Sequence, residues 1–129
     1  MQKKHLYEYA VIRVVPRVER EEFVNAGIIL FCKKEKFLKC IYEIDEPRLR
    51  TLFPGIDIEL IQKNLQAFEN IASGKAEGGP IAKLDVPERF RWLTASRSTI
   101  IQTGKVHPGL AENNENILNR LFDELVTLK

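Results

Sequence analysis

Apolar and polar side chains alternate from the start of the chain. From Leu6 to Val15, LYEYAVIRVV places Leu6, Ala10, Ile12 and Val14 on one side of an extended backbone, and Tyr7, Tyr9, Val11 and Val15 on the other. A strand apolar on both sides belongs in the middle of its sheet, and Pro16, with no amide proton to donate, ends it. The charged run Arg17 to Glu22 reads as a solvated connection. FVNAGIILFC, from Phe23 to Cys32, is rich in β-branched and aromatic residues and predicts a second strand, in which Gly27 marks a bulge or the close approach of another group. Lys33-Lys34-Glu35-Lys36 then turns into FLKCIYEI, where Leu38, Cys40, Tyr42 and Ile44 face one way and Lys39 and Glu43 the other. This half-exposed third strand belongs near an edge.

After Ile44 the period changes from 2 to 3.6. Asp45-Glu46-Pro47 starts a short helix through Leu49 and Leu52, and Pro54-Gly55 stops it. A longer helix is predicted from Asp57 to Ser73, since Ile58, Ile61, Leu65, Phe68 and Ala72 recur at the spacing of a stripe laid across a sheet. Gly74 to Pro80 reads as a mobile surface loop. Asp85 and Glu88 form a capping-box pattern that opens a third helix, running to about Ala95. STIIQTGKV, from Ser98 to Val106, reads as a fourth strand, and His107-Pro108-Gly109 as a turn. Asparagine then caps a last helix whose stripe is Ile117, Leu118, Leu121, Phe122, Leu125 and Leu128. The order β-β-β-α-α-α-β-α predicts an α+β fold: an antiparallel sheet of about four strands with helices packed mainly on one face.

At 129 residues the chain is expected to form a single domain, 1–129, and 44% hydrophobic composition is enough for a core without metal or disulfide staples. Twenty lysines and arginines against 18 acids leave +2, so no global attraction to nucleic acid or to an anionic membrane is expected. No apolar run reaches membrane-spanning length, and the N-terminal Met1 to His5 enters a strand without a signal-peptide core, so a cytoplasmic protein is expected. Cys32 and Cys40 flank the first hairpin; a bridge between them and two separate buried thiols are the alternatives. Two cysteines with His5 and His107 far apart give no zinc spacing, and no metal or cofactor is expected.

Candidate chemistry concentrates in RFRWLTASRSTIIQTGKVH, from Arg89 to His107, which carries Arg89, Arg91, Arg97 and Lys105 and no acid. At its centre Arg97, Ser98 and Thr99, with Ser96, offer a guanidinium fork and hydroxyl donors at one corner, suited to a phosphate or carboxylate. The competing reading is that the hydroxyls cap the helix's last carbonyls and the arginine pairs with an acid. Arg13 is the second candidate, because a charge within an apolar strand must find a carboxylate such as Glu22 or Glu43, or line a pocket. Glu22 and Asn25, at the start of the second strand, become its neighbours if the first two strands form a hairpin. His107 has the intrinsic pKa of a general acid or base, and a surface turn histidine is the plain alternative. Nucleotide-loop, dinucleotide-turn, zinc-protease and nucleophile-elbow motifs are all absent.

Two stretches, YEYAVIRVVPRVEREEFVNAGIILFC at Tyr7 to Cys32 and FRWLTASRSTIIQTGKVHPGL at Phe90 to Leu110, followed by NENILNRLFDELV, resemble the bacterial family known as domain of unknown function 3037. The resemblance covers nearly the whole chain. It implies a stand-alone bacterial cytoplasmic protein with no assigned activity, whose motif positions fall on Arg13, Glu22, Asn25, Gly27, Arg97, Ser98 and His107. It also implies a kinase-like protein as a partner. Ser96 stands where the family often has proline before the arginine, so the local turn is expected to differ. The leading expectation is a non-catalytic module that holds an anionic small ligand or protein partner through Arg97, Ser98 and Thr99, with Arg13 nearby. The alternatives are a small enzyme with His107 as acid/base and Arg97 as anion clamp, and an accessory subunit of a kinase-like neighbour.

Overall fold

The computed structural model describes residues 3–127. Its strands are β1 (His5–Val14), β2 (Val24–Cys32), β3 (Phe37–Tyr42), β4 (Ile101–Thr103) and β5 (His107–Ala111). The helices are α1 (Glu46–Leu52), α2 (Ile58–Ala72), α3 (Val86–Leu93) and α4 (Asn114–Leu125). All strand pairs are antiparallel, in the order β3-β2-β1-β4, and β5 also pairs with β1. The fold is α+β, with β1 central and β3 at an edge, where their apolar and half-apolar patterns place them.

β4 and β5 lie one after the other along the same side of β1. Thr103 stands opposite Ile12 and His107 opposite Tyr9, so three residues, Gly104 to Val106, face the two residues Ala10 and Val11. One extra residue thus breaks a single run into two strands. This corrects the reading of His107-Pro108-Gly109 as a turn: His107 is the first residue of β5. Pro108 is tolerated because the strand is at an edge. Gly109 is required because the Tyr7 ring lies across it, and a Cβ there would sit 2.3 Å from the Tyr7 hydroxyl.

The pleat divides the core into two layers. Ala10, Ile12, Val14, Ile29 and Phe31 join Leu49 of α1, Ile61, Leu65 and Phe68 of α2, and Phe90 and Leu93 of α3. On the opposite face Ile28, Leu30 and Cys32 meet Leu118 and Leu121 of α4. Three helices therefore share one face and α4 alone covers the other. The start of α4 is fastened to the β2–β3 hairpin by Asn114 Nδ2 donating to Glu35 Oε1 (3.0 Å) and by the Lys39–Glu115 ion pair (3.0 Å). Leu128, expected in the α4 stripe, lies outside the described residues, as do Met1 and Gln2 at the N-terminus.

Asp45, Asp57, Asp85 and Asn113 each cap a helix by accepting from an amide three residues on. Glu88 makes no return bond, so the capping box is half formed. The stretch after Gly74, read as mobile, folds into two 3-10 turns, Ala76–Gly78 and Pro80–Lys83, against α2. Among the described residues no helix is long and apolar enough to cross a membrane.

Cys32 and Cys40 are both free and buried. They belong to opposite core layers, so the pleat points their thiols away from each other and rules out the bridge. Burial, helped by the Glu69 charge, raises the Cys40 thiol from 9.0 to about 12. The unfolded thiol then loses its proton first, so the stabilisation is complete below pH 9 and is lost as pH climbs towards 12. Denaturant melts of the wild type and Cys40→Ala from pH 8 upward should show this alkaline loss diminished in the variant, and neither thiol should react with iodoacetamide before unfolding.

Candidate functional site

The corner after α3 is built as the end of a helix. Thr94 Oγ1 donates to the Phe90 carbonyl (2.8 Å), and the Arg97 guanidinium turns back to donate to the Trp92 carbonyl while lying 4.2 Å over the Trp92 ring. A cation at this position neutralises the helix's exposed carbonyls and its negative end. The Thr99 hydroxyl donates to the Ile101 carbonyl (2.7 Å). Ser98 is exposed and takes no part in these bonds. Of the donors expected at this corner, the Trp92 carbonyl thus takes one N–H of Arg97 and the Ile101 carbonyl takes the Thr99 hydroxyl.

Arg13 is placed differently. The register of β1 against β2 slips by one residue between Ile12, opposite Gly27, and Arg13, opposite Asn25, with Ala26 as the extra residue. The slip puts Arg13 and Asn25 side by side on the α4 face, and Gln102 of β4 stands on the other side of Arg13. The guanidinium lies 4.1 Å over the Phe23 ring, and its other neighbour is Gly104, where a Cβ would come within 3.0 Å of Nη2. The cation is thus clamped by a ring and a glycine, not by an acid.

Its isolation is unusual within this chain. Arg17, Arg20, Arg50, Arg91 and Arg120 all stand in ion pairs with glutamates. Arg89 and Arg97 donate to main-chain carbonyls, and Arg48 lines a cleft with Glu43 and Asp45. Arg13 has neither an ion pair nor a hydrogen bond among the described residues, and its Nε is buried without a partner. Asn25 uses Nδ2 on the Leu125 carbonyl at the end of α4 (3.1 Å), leaving Oδ1 buried and unpartnered beside it. A donor and an acceptor are both left unmet here, a costly arrangement unless a small polar group enters.

Glu22, expected as a neighbour of Arg13, is paired with Arg20 instead, and that hydrogen bond holds its carboxyl below the usual range. Gly27 is on the far face, opposite Ile12, where it lets β3 approach closely: a Cβ would lie 2.3 Å from the Ile41 carbonyl oxygen. Both sequence readings of that glycine, bulge and close approach, are realised around it.

His107 is exposed and sits across from Tyr9, the ring centroids 5.4 Å apart. Tyr9, Val11 and Arg13 share one side of β1, so histidine and arginine lie on the same face, separated by about 13 Å of strand. α4 packs on β2 and β3. The β4/β5 half of this face forms a shelf carrying Arg13, Gln102, Tyr9 and His107. Arg97 is anchored at the end of α3, which packs on the other face, and makes no contact with His107 among the described residues. Sequence reading missed Phe23, Gly104, Gln102 and Tyr9; stepping back in twos from Arg13, through Val11, would have found Tyr9, and the lone glycine in the last strand pattern was a signal for Gly104.

No curated protein and no solved structure matches the chain. The match to a family model runs from residue 9 to residue 126, and so takes in β1 from Tyr9 onward, all later elements and every residue of the shelf. The chain belongs to the family described as protein of unknown function (DUF3037).

Proposed function

We propose that the protein is a non-catalytic binding module that holds the anionic group of a small ligand on Arg13, with Asn25 and Gln102 beside it and His107 farther along the shelf. The observation that carries this reading is a guanidinium fixed in place by Phe23 and Gly104 yet paired with no acid. Such a fork is already oriented, so a phosphate or carboxylate gains two charge-assisted bonds at little cost in side-chain entropy. A ligand reaching His107 as well would extend about 13 Å along the strand, the length of a nucleotide or a longer phosphosugar. Arg97 is bonded to the Trp92 carbonyl and His107 lies against Tyr9, with no contact between the two among the described residues, which supports binding over the acid/base-and-clamp enzyme. The setting we infer is the bacterial cytoplasm, which two free buried thiols suit.

Arg97, Ser98 and Thr99 form the competing anion corner, and one experiment separates the two. Titration calorimetry with inorganic phosphate, a nucleoside monophosphate and a sugar phosphate should give saturable binding of at least one. Arg13→Ala should weaken it by about tenfold or more, Arg13→Lys by less, and Arg97→Ala should leave it unchanged. Equal affinity in Arg13→Ala, or loss confined to Arg97→Ala, overturns the assignment to Arg13.

A further inference from the structure

A second surface lies at the opposite end of β1, on the other face of the sheet. There the start of β1, the β2–β3 turn and α3 enclose a groove of about 570 Å³. Its one carboxylate, Glu8, is taken by Arg91 in a two-pronged ion pair, Nη1 to Oε2 at 2.9 Å and Nη2 to Oε1 at 2.8 Å. What remains is basic: Lys4, Lys33 and Lys34 line the same groove, are exposed, and have no acid partner among the described residues. Its floor is aliphatic, with Leu6 and Pro87.

Leu6 is 59% exposed and stands directly across from Leu110, which is 63% exposed; no other large hydrophobic side chain of the described residues is as open to solvent. An isolated exposed leucine needs no explanation, but Leu6 lies among three unpaired lysines, and its cross-strand partner Leu110 extends the apolar surface into a neighbouring hollow that shares Lys4 and also holds Glu112 and Arg120. We infer that this groove docks an acidic protein segment that alternates carboxylates with leucine-like side chains. Carboxylates meet Lys4, Lys33 and Lys34 at the rim, while the aliphatic side chains cover Leu6 and Leu110. A nucleic acid fits the charge but not the floor. Of the rings in its lining Phe31 is only 3% exposed and His5 is half-buried, so the groove offers no open ring for a base to stack on.

The test uses the full chain and a short fluorescein-labelled peptide of alternating glutamate and leucine, followed by fluorescence anisotropy. Saturable binding is expected, weakening as salt is raised. It should fall by about tenfold or more in Lys33→Glu/Lys34→Glu, whose sites lie in an exposed turn, and comparably in Leu6→Ser. A lysine–leucine peptide and a glutamate–serine peptide should both bind at least about tenfold more weakly. Circular dichroism of each variant confirms that the fold is retained. Arg13→Ala, on the other face, should leave the affinity unaltered, which separates this surface from the anion shelf. The inference is overturned if the charge reversal has no effect, if the lysine–leucine peptide binds equally well, or if oligo-dT or phosphatidylserine vesicles bind more tightly than the peptide.

Discussion

Phe90→Ala is expected to destabilise the protein by about 3–5 kcal/mol and to lower its melting temperature by roughly 10–20 °C. The Phe90 side chain is 0% exposed, and its ring stacks on that of Phe31 with centroids 4.9 Å apart. Truncation therefore removes transfer free energy, leaves a cavity between α3 and the sheet, and abolishes a ring pair that contributes about 1 kcal/mol beyond its buried area. Trp92, two residues along the same helix but 39% exposed, provides the contrast: Trp92→Ala should cost about 1 kcal/mol or less. Thermal melts followed by circular dichroism would decide the matter, and a shift below about 3 °C for Phe90→Ala would contradict the packing described.

Gly27→Ala should be of similar size, about 3 kcal/mol or more, for a different reason. The added methyl would lie 2.3 Å from the Ile41 carbonyl oxygen and 2.8 Å from the Tyr42 Cβ, so β2 and β3 would have to part. Because the first obstacle is backbone, Tyr42→Ala should not relieve it. Gly109→Ala meets the Tyr7 ring instead, a side chain, so combining it with Tyr7→Ala should recover part of the loss. Chemical-denaturation midpoints of the two double mutants distinguish a backbone clash from a side-chain clash. Rescue of Gly27→Ala by Tyr42→Ala would show that the strands are less closely paired than the register implies.

Much of this architecture could be read from the chain. Leu6, Ala10, Ile12 and Val14 alternating with Tyr7, Tyr9 and Val11 announced a central strand apolar on both sides, and the three- and four-residue steps from Ile58 to Ala72 announced α2. β5 could not be read, because Pro108-Gly109 is a turn signal locally; only the edge position and the Tyr7 ring over Gly109 make it a strand. The segment after Gly74 likewise looked mobile by composition but forms two 3-10 turns that pack on α2. The site was half legible. An arginine in an apolar strand was visible as an anomaly, but its neighbour Asn25 is delivered by a one-residue slip: extending the Ile12–Gly27 register would have put Ala26 opposite Arg13. The arginine of the later motif, Arg97, was the more conspicuous in sequence because serines and threonine surround it. Nothing local revealed that the Trp92 carbonyl at the end of α3 would claim it.

Arg13 carries a guanidinium held between Phe23 and Gly104 and engaged by no acid among the described residues. The most direct measurement follows the arginine Nε–Hε signals by nuclear magnetic resonance while inorganic phosphate is titrated into the protein. The Arg13 signal should shift saturably, with the Arg97 signal staying in place. A stationary Arg13 signal, or a saturable shift at Arg97 in its stead, would contradict the account.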